Sequence, residues 1–171
     1  MIHLYCGDGK GKTTCALGLA LRAAGADMNV VIVQFLKGSH TCELDSLKKL
    51  PNITVLRNSK DYGFVGSMTD EQLAQVKSEH DKNLSNALQL ISNSKCDLLV
   101  LDELTYVYAM DLADKSKIEQ LITNAPENLE LVVTGRDPDK LFVDNADYIT
   151  EMKLVKHPYD KGVPARKGIE Y

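Results

Sequence analysis

The sequence predicts one α/β domain built on a mostly parallel, doubly wound sheet of about six strands. Three observations lead to this fold class. Short apolar, β-branched segments alternate with segments of helical period along the whole chain. Two of the apolar segments, 29–36 and 97–103, are nearly continuous, as in parallel strands covered on both faces. The chain has 171 residues, 44% of them hydrophobic, which suits a single domain with one core.

The strands are predicted first, because their apolar runs are short and bounded by polar or turn residues. In chain order the six segments are 1–6, 29–36, 52–56, 97–103, 129–135 and 146–155. Ligands of such a sheet bind beyond the carboxyl ends of the strands. We therefore look for functional residues directly after these segments.

Three helices are predicted between the strands. The first runs from Thr13 to Ala24 and ends at Gly25, a common C-terminal stop. The second begins at Thr69, which forms a capping-box pattern with Gln72. Its apolar residues then recur at spacings of three and four, at Leu73, Val76, His80, Leu84, Ala87, Leu88 and Ile91. The third helix carries Ile118, Leu121 and Ile122 ahead of Pro126.

Composition narrows the functional classes. A net charge of −4 gives no basic footprint, so nucleic acid is not an expected partner. No apolar run approaches the ~20 residues that span a bilayer, and no charged segment with an apolar core opens the chain, so we expect a cytoplasmic protein without a membrane partner. The four cysteines lack metal or redox spacing, and we expect them to be reduced, buried apolar residues.

A phosphate-binding loop is predicted between the first strand and the first helix. It comprises Gly7, Asp8, Gly9, Lys10, Gly11, Lys12, Thr13 and Thr14. Its glycines allow consecutive backbone N–H groups and the helix N-terminus to face phosphates. Cys6 stands where the first glycine of the motif belongs, and we expect the neighbouring Gly7 to supply the unusual backbone angles instead.

Charge assigns roles within this loop. Lys12 is expected at the terminal phosphates, and the Thr13 hydroxyl is expected to bind Mg²⁺. Lys10 is either a second phosphate contact or a solvated turn lysine, and the sequence leaves both readings open. On its own pattern, Arg22 fits a structural ion pair better than a phosphate contact.

Acidic residues follow the strand at 97–103. Asp102 and Glu103 end this strand at the same sheet edge as the loop, which is the arrangement that holds a metal ion beside bound phosphates. Arg136 follows the next strand, at 129–135, and is either a site residue that contacts nucleotide or neighbouring backbone, or a surface residue. Asp102, Glu103 and Thr13 are the candidate metal ligands.

Two irregular segments complete the chain. Residues 57–68 are polar and rich in glycine, too long for a simple turn, and are therefore a candidate functional loop. Residues 153–171 are basic and not periodic. Such a segment is either a disordered end or a packed lid.

Taken together, these motifs resemble the P-loop branch of the ATP:corrinoid adenosyltransferases. The resemblance covers nearly the whole chain: GDGKGKTTCALGLALRAAG, VVIVQFLKG, CELDSL, DLLVLDELTYVYAMDL, VVTGRDP and VKHPYDKGVPARKGIEY. The last of these is the most specific. The resemblance implies a RecA-like, P-loop NTPase fold in one domain spanning 1–171, with the tail 153–171 folded over the site.

The resemblance also implies the reaction. A Co(I) corrinoid attacks the 5′ carbon of ATP, and the whole triphosphate leaves, so Lys12, Thr13 and Glu103 act on the leaving group rather than on γ-phosphoryl transfer. Thr13 and Glu103 match Mg²⁺ ligands, and Arg22 matches an arginine directed to the nucleotide. The implied partners are a flavoprotein or other reductant and a second copy of the chain.

The loop at 57–68 departs from the family pattern. Many relatives carry Gly-Phe-Thr-Trp there, whereas this chain has GFVG, with Gly66 in place of the tryptophan. The resemblance implies that such aromatics crowd one face of the corrinoid. Phe64, and with it Tyr62, is therefore the expected corrinoid contact; the alternative for Phe64 is a core anchor of the loop.

Two other functions are compatible with the motifs. A small-molecule kinase or ATPase would need only the phosphate loop, Asp102 and Glu103. A nucleotide- or corrinoid-binding module without turnover would fit the missing tryptophan. Neither explains the specific tail.

Overall fold

The six strands form one sheet in which every neighbouring pair is parallel. A computed structural model describes all residues from 1 to 171. The strand order is β3-β2-β4-β5-β1-β6. The strands are β1 (Ile2–Cys6), β2 (Val30–Gln34), β3 (Ile53–Arg57), β4 (Leu98–Asp102), β5 (Glu130–Thr134) and β6 (Tyr148–Glu151).

Six helices accompany the sheet. They are α1 (Lys12–Ala24), α2 (Glu43–Leu47), α3 (Asp70–Ser92), α4 (Leu104–Ala109), α5 (Lys115–Thr123) and α6 (Lys140–Asn145). The capping box predicted at Thr69 is formed in both directions with Gln72. Two 3₁₀ turns, Val65–Ser67 and Pro158–Lys161, lie in the irregular segments.

Alternate residues of the strands feed two separate cores. On one face, Ala16 and Ala20 of α1 pack with Ile32 and Val100. On the other, the helices α3 to α6 cover a larger core, represented by Leu84, Val107, Ile118 and Phe142. Helices on both faces confirm the doubly wound fold. The sheet was predicted to be mostly parallel, and all of its strand pairs are parallel.

The structure differs from the predicted elements in a few places. The last strand ends at Glu151 rather than 155, because the next residue, Met152, turns to contact the phosphate loop. Helix α1 does end before Gly25, but Gly25 keeps right-handed angles, and the left-handed turn falls at Asp27 (φ 61°). The short helices α2, α4 and α6 were not predicted. No helix is both long and apolar enough to cross a bilayer.

Candidate active site

The phosphate loop leaves β1 through a glycine in an unusual conformation. Gly7 has φ +94°, and a Cβ there would lie 2.7 Å from the Met152 carbonyl oxygen. Cys6 is the last residue of β1 and is buried. The glycine requirement therefore falls one residue later than the usual motif places it, as predicted.

Backbone contact with the segment after β6 holds the loop in place. The Gly9 N–H donates to the Met152 carbonyl oxygen at 2.6 Å, and a Cβ at Gly9 would lie 2.5 Å from that oxygen. Only glycine allows this approach. The phosphate loop is thus held against the residue that follows the outer strand β6.

Lys12 is folded back onto the loop. It is 8% exposed, and its Nζ donates to the carbonyl oxygens of Gly7 at 2.6 Å and Gly9 at 2.9 Å. Burial lowers the pKa of Lys12, with the nearby Glu103 carboxylate acting in the opposite direction. An anion bound here would replace the neutral carbonyl partners of the Lys12 ammonium and would offset the cost of burying its charge.

Asp102 is the centre of a buried polar cluster. Its carboxylate is 1% exposed. Oδ1 accepts from the hydroxyls of Thr13 at 2.9 Å and Thr134 at 2.7 Å, and Oδ2 accepts from the Lys37 ammonium at 2.6 Å. Lys37 also donates to the Thr13 hydroxyl oxygen at 3.3 Å. Strands β2, β4 and β5 and helix α1 thus meet at one carboxylate.

Glu103, the next residue, lies in a different environment. Its backbone is left-handed (φ 67°), and its N–H donates to the Thr134 hydroxyl oxygen at 2.9 Å. Burial raises the pKa of Glu103, and the neighbouring Asp102 charge adds to that effect. Its side chain lines the same cleft as the phosphate loop.

Two cavities adjoin the loop. One, of about 550 Å³, which we call the loop cleft, is lined by Asp8, Gly9, Lys10, Gly11, Lys12, Thr13, Thr14, Glu103, Arg136, Leu154, His157, Tyr159, Asp160, Ile169 and Glu170. The other, of about 610 Å³, lies between α1, residues 41–50 and residues 168–171. An open cleft with a glycine-rich loop, the three cations Lys10, Lys12 and Arg136, and the Glu103 carboxylate suits a nucleotide.

Comparison with known proteins decides the class of this nucleotide site. A profile described as "ATP:corrinoid adenosyltransferase BtuR/CobO/CobP" matches residues 1–171. The chain belongs to the ATP:corrinoid adenosyltransferase family. As a member, it is an enzyme that adenosylates corrinoids with ATP.

Individual relatives agree with this family. The corrinoid adenosyltransferase of Escherichia coli K12 is 31% identical over 173 residues, covering 100% of this chain and 85% of the relative. That of Pseudomonas aeruginosa is 34% identical over 172 residues, covering 100% and 83%. A KaiC-like protein from Pyrococcus horikoshii superposes with a TM-score of 0.56 at 15% identity, covering 91% of this chain and 73% of that chain, which supports the fold alone.

The structure collects most, but not all, of the residues that the sequence and the family resemblance single out. Arg136 lies 3.7 Å from Asp8, nitrogen to oxygen, and Lys10 donates to the Ile169 carbonyl oxygen at 3.2 Å. Arg22 is ten residues from Lys12, about 15 Å along α1, and lines neither cavity. Its role at the nucleotide stays a prediction.

The candidate corrinoid residues also lie outside both cavities. Phe64 is 88% exposed, so the alternative that it anchors the loop in the core is wrong. Tyr62 is half-buried and donates its hydroxyl to Glu79 at 2.9 Å. Both follow the carboxyl end of β3, as the phosphate loop follows the carboxyl end of β1.

Sequence reasoning missed Lys37, Thr134 and Gln34. Gln34 and Thr134 are the last residues of β2 and β5, and Lys37 directly follows the predicted strand at 29–36. A position near the carboxyl end of a strand is the signal that could have found them. Gln34 pairs with Asp102 in the β2–β4 register and is fully buried with neither amide atom hydrogen-bonded. A buried, unsatisfied amide beside this carboxylate indicates a site completed by a ligand or its water.

Proposed function

We propose that this enzyme transfers the 5′-deoxyadenosyl group of ATP to the Co(I) centre of a corrinoid. The cobalt electron pair forms the bond to C5′, the C5′–O bond breaks, and its electrons leave with the triphosphate. Family membership supports the reaction. The observation that carries the residue roles is the buried Lys12 ammonium within a glycine loop, an arrangement that stabilises developing negative charge.

The leaving group is proposed to lie along the loop. The loop N–H groups other than that of Gly9, which is bonded to Met152, and the Lys12 ammonium would bind phosphate oxygens. Lys10 and Arg136 would be further cations at the cleft wall. Lys12 would exchange its bonds to Gly7 and Gly9 for bonds to phosphate. Because the triphosphate is displaced and not hydrolysed, the chain needs no general base.

A magnesium ion is proposed at Thr13, Asp102 and Glu103. The residues fit, because a cationic group, the Lys37 ammonium, already lies between the Asp102 carboxylate and the Thr13 hydroxyl. No cluster of three His, Cys, Asp or Glu side chains is present, which agrees with a Mg²⁺ site completed by phosphates and water. When bound, the ion would screen triphosphate charge.

Phe64 is proposed to contact the corrinoid. The support is that Phe64 is 88% exposed on a loop at the carboxyl ends of the strands, where the site also lies. An apolar ring in such a position loses exposed apolar surface when it covers an apolar ligand. Phe64→Ala should raise the KM for the corrinoid more than the KM for ATP. Val143→Ala, at another exposed apolar side chain, is the control. Equal KM values for the corrinoid in all three proteins would refute this contact.

The setting of the enzyme is also a proposal. We infer a homodimer in the cytoplasm that receives electrons from a flavoprotein or other reductant, since Co(I) must be generated before each turnover. All four cysteines are free, which suits a reducing compartment. Cys6 and Cys96 are buried as expected, but Cys15 is exposed and Cys42 is half-buried, so the expectation of four buried cysteines is wrong for these two. Sedimentation of the purified protein would measure the oligomeric state.

Product analysis tests the reaction. Anaerobic incubation with ATP, Mg²⁺ and a chemically reduced corrinoid should give a light-sensitive cobalt–carbon product and intact triphosphate. Lys12→Ala should lower the rate by about a hundredfold or more. ADP and phosphate without alkylated cobalt would instead identify a kinase or ATPase, and binding without turnover would identify a carrier module; family membership favours neither.

A further inference from the structure

The Lys37 ammonium lies between two of the proposed metal ligands, Asp102 and Thr13. Its Nζ lies 2.6 Å from Asp102 Oδ2 and 3.3 Å from Thr13 Oγ1, and these two side chains are proposed metal ligands. We infer that Lys37 is a resident counter-ion of the metal site, which yields Asp102 to a divalent cation only when the triphosphate binds. This inference rests on the proposed function and adds that Lys37 makes metal binding depend on the triphosphate.

The backbone around Lys37 is built to aim this side chain. Leu36 is left-handed (φ 59°), and its N–H donates to Nε2 of the buried His80 at 3.1 Å. The Phe35 N–H donates to the Asp102 carbonyl oxygen at 3.2 Å. Beyond the turn, Arg57 Nε donates to the Lys37 carbonyl oxygen at 3.2 Å. Residues of β3, β4 and α3 thus hold the turn that places Lys37 beside Asp102.

Charge balance explains why the exchange would depend on the nucleotide. Asp102 is almost fully buried and has one ammonium as its partner. A divalent cation arriving alone would displace that ammonium and leave two cationic groups around one buried carboxylate and Glu103. The triphosphate brings enough negative charge to hold both cations. Lys37 also lines the cavity next to Thr13 and Thr14, so the released ammonium stays beside the phosphate loop.

Manganese provides the probe for this inference. Free Mn²⁺ is measured by electron paramagnetic resonance during titration of the nucleotide-free enzyme. Lys37→Met should bind Mn²⁺ at least about tenfold more tightly than the wild type, because Asp102 has lost its competing cation. Lys37→Met combined with Asp102→Asn should lose that gain. Equal Mn²⁺ affinity of the wild type and Lys37→Met would overturn the inference.

Thermal unfolding supplies a second readout. Lys37→Met leaves Asp102 buried without a counter-ion, so its melting temperature should fall and should recover on addition of Mn²⁺ alone. The wild type and Lys37→Arg, which keep the cation, should show no such recovery. Should Lys37→Met fail to fold, Lys37→Gln takes its place in both measurements, and a variant that Mn²⁺ leaves unchanged would contradict the inference.

The same titrations separate this inference from the proposed function. ATP affinity of the wild type, measured with and without Mn²⁺, reports whether a metal binds with the nucleotide at all. If Mn²⁺ does not strengthen ATP binding, the metal part of the proposed function fails. If it does, and Lys37→Met binds Mn²⁺ no better than the wild type, only the role of Lys37 fails.

Discussion

At the scale of single residues, two adjacent carboxylates experience opposite environments. Asp102 accepts hydrogen bonds from Thr13, Thr134 and Lys37. Glu103 has no hydrogen-bond or ion-pair partner for its side chain, and burial raises its pKa. The charged form of Glu103 is therefore a cost to the folded state. A cost kept at a site of this kind is expected where function needs the group.

Glu103→Gln tests whether Glu103 lowers stability while it is needed for activity. The folded pKa of Glu103 lies above its unfolded value, near 4.3, so the cost is present at pH above the folded pKa and disappears below the unfolded pKa. The variant should therefore be more stable than the wild type at pH 7, as measured by urea unfolding, with the gain vanishing near pH 4. Its adenosylation rate should fall by about a hundredfold.

An exposed glutamate provides the matched control for this comparison. Glu127 is solvent-exposed in the turn before β5, so Glu127→Gln should change neither stability nor rate. A Glu103→Gln protein that is less stable at pH 7, or that keeps the full rate, would contradict the role given to Glu103.

At the scale of elements, helix α3 connects the core to the functional turns. His80 on this helix is fully buried. Its Nδ1 donates to the Leu112 carbonyl oxygen at 2.9 Å, and its Nε2 accepts from the Leu36 N–H. Only one neutral tautomer satisfies both bonds, since a carbonyl accepts and an amide donates. The residue before it, Glu79, accepts hydrogen bonds from Ser59 and Tyr62 in the candidate corrinoid loop.

His80 should make the stability of this arrangement depend on pH. Burial lowers its pKa, against the opposing effects of its bond to Leu112 and of Asp81 and Glu79. Between this lowered pKa and the unfolded value near 6.5, the unfolded state binds more protons, so stability falls as pH falls below about 6.5. In urea unfolding between pH 7.5 and 5.5, His80→Gln should flatten that slope, which one proton limits to about 1.4 kcal/mol per pH unit.

The exposed His40 is the control for this pH experiment. Its side chain is 58% exposed and lies 3.2 Å from the exposed Asp45 carboxylate, so His40→Gln should change the slope less than His80→Gln does. A slope unchanged in His80→Gln would show that other groups carry the pH dependence. Glutamine retains an acceptor and a donor, so the comparison concerns titration more than lost packing.

The elements that the sequence predicted are those with a strong repeating pattern. All six strands and the three longer helices appear where their patterns placed them. The helices α2, α4 and α6 have only five or six residues, fewer than two turns, so they show no period to detect. The predicted end of β6 was late because apolar pattern extends past Glu151, while contact with the phosphate loop ends the pairing.

At the scale of the whole molecule, strand order brings distant residues into one site. A single strand, β5, separates the strand of the phosphate loop from that of Asp102. The sequence identified the loop and the acidic pair because each lies within one contiguous motif. Sequence patterns did not predict Lys37 and Thr134, because their contacts with Asp102 span 65 and 32 residues and depend on which strands are neighbours. Local patterns carry no information on that order.

The tail, residues 153–171, lies beside the phosphate loop and has no core of its own. Of residues 153–171, only His157 is partly buried, and the rest are exposed. Yet Lys10 contacts the Ile169 carbonyl oxygen and lies 3.8 Å from the Glu170 carboxylate. Arg166 pairs with Glu170 at 3.0 Å, and that pair lowers the pKa of Glu170 to about 2. Residues 168–171 thus form a wall of the cavity beside α1.

Removal of residues 166–171 should show whether the tail helps to bind ATP or competes with it. Because these residues are exposed, the free energy of unfolding should stay within about 0.5 kcal/mol of the wild type. We predict that the KM for ATP rises about tenfold, since an ordered wall of the site is lost. Arg166→Gln, which removes only the pair with Glu170, should have a smaller effect. A lower KM after truncation would mean that the tail competes with ATP for Lys10, and an unchanged KM would exclude the tail from the site.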